Sequence, residues 1–399
     1  MISFEQALEI IHQNIPAPQL ETISLSDSLG RVIAEDVFSD IDMPPFDKSA
    51  MDGYAVRSDD IKLPPVELEV LEVVPAGRIP TKTVKPGKAI KIMTGAPIPQ
   101  GADAVIMVEH TRYNAQVQTV CCLNTIKKAA NICFKAEDIK EGGKVISQDT
   151  KITPQHIGLL ASVGKDKLLV YKHPSITIMT TGDELIDITQ KPKSAQIRNS
   201  NSYFLQFQLS KIGFKIISLG IVKDNIEVLA GKIPWGLKSD ILILTGGVSM
   251  GDYDIVEEVL KALDTKILFN QVAVKPGKPF VFGKNKHCLV FGLPGNPVSV
   301  FVITEIFIKE ALSILCKDPS LKNRIVKANL IKPIEKSSDR QQYILAKLDS
   351  DKENSFKVEP IWGHGSADIV SLTYANAFII VPPNSESLPI DSSVTVMIL

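Results

Sequence analysis

Apolar runs and polar breaks alternate through the middle of the chain. From His173 to about Pro319 the order is SITIM, then TGDE, a helix-forming stretch near NSYFLQFQLSKIG, then GFKIISLGIV, a polar helix, ILILTGGVSMGD, another helix, CLVFGLPGNP and VSVFVITEIFIKEALSIL. Strand and helix in alternation predict a largely parallel sheet covered by helices. The run ILIL at 241–244 has no polar position, as expected of a strand covered on both faces. Three apolar runs end in glycine-rich polar turns: TTGDE at 180–184, TGG at 245–247 and GLPGNP at 292–297. In a parallel sheet such ends converge on one crevice, which is where open α/β folds bind ligands.

The pattern changes on either side of this region. Between Glu67 and Glu109, short apolar runs broken by Pro and Gly (VLEVVPAG, KAIKIMTGAPIPQGADAVIMVE) predict compact β structure. At the start, Ile2, Phe4, Leu8, Ile11 and Ile15 recur at helical spacing, so residues 1–36 are expected to be helical. They are expected to pair with ITPQHIGLLASVG at 152–164 in an elongated unit around an inserted β module. After Pro319 come the strand-like pieces RIVKANLIKPI, QQYILAKL, FKVEPI, NAFIIVP and SVTVMIL, which predict a small β-barrel or sandwich. The expected architecture is α/β multidomain. An elongated helical/β linker domain (1–40 plus 140–172) carries an inserted N-terminal β module (41–139). A central three-layer α/β domain with a mostly parallel sheet (173–318) and a small C-terminal β-barrel (319–399) follow.

Composition narrows the function classes. A chain of 399 residues has room for several cores, and a net charge of -1 with 22% charged residues argues against a basic nucleic-acid surface. No apolar stretch approaches the roughly 18 residues of a membrane span, and the amphipathic start is unlike a signal peptide. Cys121, Cys122, Cys133, Cys288 and Cys316 are odd in number and lack CxxC spacing, so a reducing cytoplasm is expected. The six histidines form no HExxH and combine with no cysteine at zinc spacing.

No Walker loop is present and no GxGxxG follows a strand, so an anion would need another cradle. Gly246 and Gly247 let backbone approach a ligand where a side chain would block it. Lys275 and Lys278 flank the Pro-Gly turn of VKPGKPF, where two ammonium groups can hold phosphate or another oxyanion, or stand as solvated surface charges. Glu184, Asp224 and Asp254 recur after strand ends; Mg²⁺ uses one or two such carboxylates beside phosphates and water, while each acid is also placed to cap a helix. Asn199, Ser200, Asn201 and Ser202 are candidate caps, with nucleotide contact as the second reading. Gly247–Gly251 fits GxSxG literally, with Ser249 at its centre and His287 or His364 downstream, a short match of low specificity for a serine hydrolase.

Seven segments in order resemble the molybdopterin molybdenumtransferase (MoeA) family, which is itself similar to the C-terminal domain of gephyrin. They are FDKSAMDGYAVR (46–57), IMTGAPIPQGADAVI (92–106), AEDI (136–139), TGDEL (181–185), TGGVSMGDYD (245–254), VKPGKPF (274–280) and GLPGNPVS (292–299). The resemblance implies insertion of molybdate, as substrate, into the dithiolene of adenylylated molybdopterin, with Mg²⁺-dependent cleavage of the adenylate and release of AMP. It implies that Asp52, Thr94, Asp138, Glu184, Asp224 and Asp254 belong to the catalytic site, the last three as metal ligands. Gly246, Gly247, Ser249, Lys275, Lys278, Pro294, Asn296 and Pro297 fall in segments associated with molybdate or substrate. It further implies a homodimer built through the elongated domain, with the cleft bordered by the β module of the partner, and the molybdopterin adenylyltransferase as a possible second partner. Two departures stand out: NICFKAED has Cys133 and Ala136 where the family tends to have Arg and Gly, and Leu345 stands where an arginine is expected. The alternatives are that adenylyltransferase itself, whose single domain is similar to 173–319, and a gephyrin-like scaffold. The AMDGYAV and MTGAP segments favour the first reading over the adenylyltransferase, and the retained acids and lysines favour catalysis over scaffolding.

Overall fold

A computed structural model describes residues 1–247, 255–335, 338–350 and 356–399 of the chain. The fold has two compact units, one of residues 1–23, 30–34 and 169–399, the other of 24–29 and 35–168.

The first unit is built on a six-stranded sheet. Its strand order is Ile216–Val222, Ile176–Thr181, Ile241–Thr245, Cys288–Leu293, Pro279–Asn285 and Lys266–Gln271. The first four strands run parallel, and the last two are added by successive antiparallel pairings, so only Pro279–Asn285 runs against the rest. Ile241, Leu242, Ile243 and Leu244 are all fully buried, and each such side chain contributes about 1.5–3 kcal/mol of apolar transfer. Alternate residues serve opposite layers. Ile241 and Ile243 join Leu205, Leu209, Ile303 and Phe307 under the helices Asn201–Lys211 and Pro297–Ile303. Leu242 and Leu244 join Leu229, Ile233, Val256 and Leu260 under the helices Ile226–Gly236 and Ile255–Ala262. The result is the expected three-layer α/β arrangement.

The first helix covers the periodic positions Phe4, Leu8 and Ile11 but not the expected helical stretch 1–36. It spans Phe4–Asn14 behind a Ser3/Gln6 capping box, and Pro16 and Pro18 then carry the chain into a strand at Leu20–Ser24. Residues 1–36 are therefore not one helical segment. Ala7 and Ile11 are buried in the same core as Phe280 and Phe307, so this helix belongs to the α/β unit and departs from the expected grouping of residues 1–40 with 140–172.

The C-terminal strands Ile325–Leu330, Gln341–Ser350, Phe356–Pro360, Ala377–Val381 and Ser393–Ile398 close on themselves. Gln341–Ser350 pairs with Phe356–Pro360 on one side and Ala377–Val381 on the other, which completes a five-stranded barrel around Leu330, Ala346, Val358, Ile379 and Val396. A short strand, Val274–Lys275, adds to this barrel in parallel with Gln341 and Gln342. It ties the segment VKPGKPF to the barrel.

In the second unit a six-stranded sheet runs Ala104–Met107, Gly53–Val56, Lys88–Ile92, Val66–Val74, Thr119–Cys122 and Thr111–Asn114. Alternation again splits the core, with Tyr54 and Val56 on one side and Ala55, Ile90 and Val105 on the other. Lys48–Ser49 pairs with Ile132–Cys133, Val37–Phe38 pairs with Lys144–Ile146, and the helix Pro154–Ser162 completes the unit. Among the described residues, no helix is long and apolar enough to cross a membrane.

Candidate functional site

The C-terminal ends of the parallel strands meet at one edge, as the glycine-rich turns predict. Gly246 N–H donates to the Leu293 carbonyl (3.1 Å), which joins the TGG turn to the end of the strand leading into Pro294. A Cβ on Gly246 would lie 2.1 Å from the Thr181 carbonyl oxygen, and its φ of 86° is a left-handed conformation. One on Gly247 would lie 2.7 Å from Thr181 Oγ1, 2.8 Å from Val256 Cγ2 and 3.4 Å from Asp224 Oδ1. Both glycines are thus demanded by close packing of three strand ends. Ser249 and Asp254 lie outside the described residues.

This edge has an unmet polar requirement. The hydroxyls of Thr180, Thr181 and Thr245 and Asp224 Oδ1 are buried without a hydrogen-bond partner among the described residues. Polar atoms so placed are normally satisfied by water, an ion or a ligand. Burial pushes the Asp224 carboxyl above its ordinary value; the Thr181 hydroxyl opposes this, and the Asp183 carboxylate adds to it. The Thr181 hydroxyl lies close enough to act on that carboxyl, yet the two complete no hydrogen bond of ordinary geometry. Asp224 does not cap the following helix, because Asn225 takes that position and accepts from Val228 N–H at 3.1 Å. Glu184 is exposed and folds back over Gly182, where a Cβ would meet its Oε2 at 2.6 Å. Among the described residues, no three His, Cys, Asp or Glu side chains converge as a metal cage. A hard divalent cation that keeps water and phosphate ligands needs only one or two carboxylates, and the buried, unpartnered oxygen of Asp224 fits such a donor set.

Beside the TGG turn, a cleft of about 470 Å³ is lined by Lys275, Lys278, Pro294, Asn296, Arg340 and Ser366 among others. Among the described residues, its lining carries three cationic side chains and no carboxylate. Arg340 Nη1 donates to the Val274 carbonyl at 3.3 Å, which turns the guanidinium along the lysine-bearing strand. Asn296 Nδ2 donates to Ser366 Oγ at 2.8 Å, and Val298 N–H donates to the Ser366 carbonyl at 3.0 Å. Pro297 is the first residue of the helix Pro297–Ile303. Asn201 reaches the same turn, its Nδ2 donating to the Gly295 carbonyl at 2.7 Å, while Asn199 Oδ1 accepts from Ser202 N–H at 3.2 Å in the capping role.

Arg340, Ser299 and Ser366 were not among the residues singled out by the sequence. Arg340 immediately precedes a barrel strand and Ser366 sits in the loop GHGS, so a glycine-rich loop after FKVEPI was the available signal. Leu345, at the position where an arginine is expected, is 7% exposed and packs in the core with Phe378.

The second unit carries the other predicted residues. Asp52 Oδ1 accepts from Thr94 N–H at 2.7 Å and from Thr94 Oγ1 at 2.8 Å. The first of these bonds, reinforced by the second, holds the Asp52 carboxyl below its ordinary value. Both side chains are exposed. Asp138 is also exposed, its N–H donating to the Met43 carbonyl at 2.9 Å. Nearby, Ala136 has φ 60°, the conformation that favours glycine, and Cys133 is half-buried opposite Lys48.

With this geometry in view, comparison with known proteins is specific along the whole chain. The description "MoeA N-terminal region (domain I and II)" matches residues 2–164, "Probable molybdopterin binding domain" matches 177–313, and "MoeA C-terminal region (domain IV)" matches 327–399. A protein named molybdopterin molybdenumtransferase from Staphylococcus aureus is 33% identical across 100% of this chain and 95% of its own length. One of the same name from Staphylococcus epidermidis is 32% identical with the same coverage. Crystal structures of a molybdopterin biosynthesis moeA protein from Pyrococcus horikoshii superpose with TM-scores of 0.82 and 0.79 at 29% and 30% identity. The first spans 100% of this chain and 99% of that one, the second 100% of both.

Proposed function

This chain belongs to the MoeA family, and on that premise we propose that it inserts molybdate into adenylylated molybdopterin with release of AMP. The observation that carries the reading is the cleft of Lys275, Lys278 and Arg340, cationic and, among the described residues, without a lining carboxylate, set beside the TGG turn. Two ammonium groups and a guanidinium suit a small tetrahedral dianion, because charge-assisted hydrogen bonds to oxyanions are about twice as strong as neutral ones. Ser366 supports the same assignment. Its oxygen already accepts from Asn296, so its own proton is available to an anion oxygen.

The buried threonine hydroxyls and the close glycine backbone at the strand ends suit the pterin phosphate and adenylate. Glu184 and Asp224, with Asp254, are the proposed holders of Mg²⁺, which when bound supplies Lewis-acid stabilisation of phosphate charge. The chain's own residues do the rest: the lysines hold molybdate beside the strand-end turn, and the glycines admit the substrate backbone-close. No covalent protein nucleophile is assigned. We assign Asp52, Thr94 and Asp138 to the same reaction from a second subunit of a homodimer, in a reducing, cytoplasmic setting consistent with five free thiols. The adenylyltransferase that makes the substrate is the proposed second partner.

The test is direct. Purified protein supplied with adenylylated molybdopterin, Mg²⁺ and molybdate is expected to release AMP in a molybdate-dependent manner. Absence of that release defeats the reading, and transfer of AMP from ATP onto the pterin would favour the adenylyltransferase alternative. Asp254→Ala is expected to lose turnover while keeping the fold.

A further inference from the structure

The loop 363–371 brings Ser366 to the cleft from the barrel, and one carboxylate organises it. Asp368 Oδ2 accepts from His364 N–H at 3.1 Å and from Ser371 Oγ at 2.6 Å. Its Oδ1 accepts from Val370 N–H and Ser371 N–H, each at 3.1 Å. Four donors on one side chain fix both arms of the loop, with Ser366 between them. Gly363 shows how closely the loop is drawn in, since a Cβ there would lie 2.6 Å from Asp368 Oδ2 and 2.7 Å from Ser371 Oγ. The other end of the chain of contacts is at the α/β domain, where Ser366 meets Asn296 and Val298.

We propose that Asp368 is a positioning residue for the anion cleft: it shapes the loop 363–371 so that the Ser366 hydroxyl is presented to the bound oxyanion. The inference rests on the reading of this cleft as the molybdate site. Asp368 touches no substrate itself, because its acceptor sites are occupied by the loop's own donors. The hydrogen bonds from the Ser371 hydroxyl and N–H draw its carboxyl down to about 2, so it remains a carboxylate across the working pH range. Backbone fixed in this way orients Ser366 before an anion arrives, and preorganised donors avoid an ordering cost on binding.

The experiment measures equilibrium binding of molybdate alone to the full-length protein, together with steady-state kinetics. Asp368→Ala is expected to raise the Kd and KM for molybdate about tenfold, as loss of one hydrogen bond to a charged group would, with kcat at saturating molybdate nearly unchanged. Asp368→Asn retains one acceptor oxygen and should fall between the two, which guards against a variant that simply fails to fold. Ser366→Ala is expected to weaken binding by the same factor, and the double variant Asp368→Ala/Ser366→Ala no further than either single change. Additive losses, or wild-type molybdate affinity in both Asp368 variants while Ser366→Ala is impaired, overturn the positioning role. If Lys275→Ala, Lys278→Ala and Ser366→Ala all bind molybdate as wild type does, the cleft reading itself fails and this inference goes with it.

Discussion

The anion cleft and the Asp52–Thr94 pair are opposite solutions to holding charge. The cleft gathers Lys275, Lys278 and Arg340 into one concavity, with Arg340 steadied by the Val274 carbonyl and Asp339 and Ser366 held by Asn296. Asp52 is exposed, immediately precedes the strand Gly53–Val56, and has one carboxylate oxygen held by two bonds from Thr94. A cleft of like charges is electrostatically unfavourable until an anion enters, so it is a binding device. A carboxylate with one oxygen held by its neighbours is fixed in direction before any partner arrives, so it is an orienting device. The difference teaches that the seven segments shared with the family carry two kinds of chemistry, which the letters Asp and Lys alone do not distinguish.

That contrast can be broken most sharply by charge removal in the cleft. Lys278→Ala is expected to lower kcat/KM for molybdate-dependent AMP release by about 100-fold, as removal of a preorganised cationic donor does, with thermal unfolding unchanged. Gly246→Ala tests whether the strand-end packing supports the cleft. With a Cβ forced to 2.1 Å from a carbonyl oxygen at φ 86°, the variant should lose about 3 kcal/mol in urea unfolding. At the second site, Asp52→Ala should cost about tenfold in AMP release, and Asp52→Asn, which can still accept from Thr94, distinctly less. Equal losses in the two variants would mean that the charge of Asp52 matters and not its acceptance, and the contrast would collapse.

Acid separates the two compact units that carry these regions as well. Burial, with a further push from Arg31, lowers the His173 pKa from 6.5 to about 4, while its ring packs 4.7 Å from that of Phe214. A histidine depressed in the folded state is kept neutral there. Protonation therefore favours unfolding, and stability falls as pH drops from 6.5 towards 4, on the order of 1–2 kcal/mol after allowance for partial exposure. Asp52 behaves differently. Its contribution is complete above pH 3.8 and is lost only below it, as pH falls through the lowered folded value. Unfolding curves between pH 7 and 4 should slope for the wild type and flatten in His173→Gln, whereas Asp52→Asn should leave that slope intact. The smallest expected effect is at Ala136, where glycine would relieve a left-handed backbone at some cost in chain entropy. Ala136→Gly should gain up to ~1 kcal/mol in denaturant unfolding.

Much of the fold was legible because burial writes itself into the sequence. ILIL, read as a covered strand, is one, and of the barrel or sandwich expected from five short β-rich runs the barrel formed. The helix expected over residues 1–36 failed for a visible reason: the helical periodicity ends at Ile15, and Pro16 and Pro18 stop the helix there. Asp224 shows a subtler limit. Periodicity cannot tell which of Asp224 and Asn225 turns inward, and the fold gave the cap to Asn225 and the buried edge to Asp224. Arg340 was beyond reach because its role comes from the barrel meeting the α/β layer, and Ser366 had only the glycine-rich loop GHGS as a local signal.

The two-residue strand Val274–Lys275 has a consequence for inheritance. Its pairing with Gln341 and Gln342 makes the lysine-bearing loop the property of two domains at once. A gene fragment encoding only residues 173–318 would transmit both ammonium groups and the TGG turn, but neither the guanidinium of Arg340 nor the hydroxyl of Ser366. Recombination that exchanged barrels between relatives would therefore replace Arg340 and Ser366 in the anion cleft while leaving the strand-end turns untouched, and oxyanion preference could drift independently of the rest of the site.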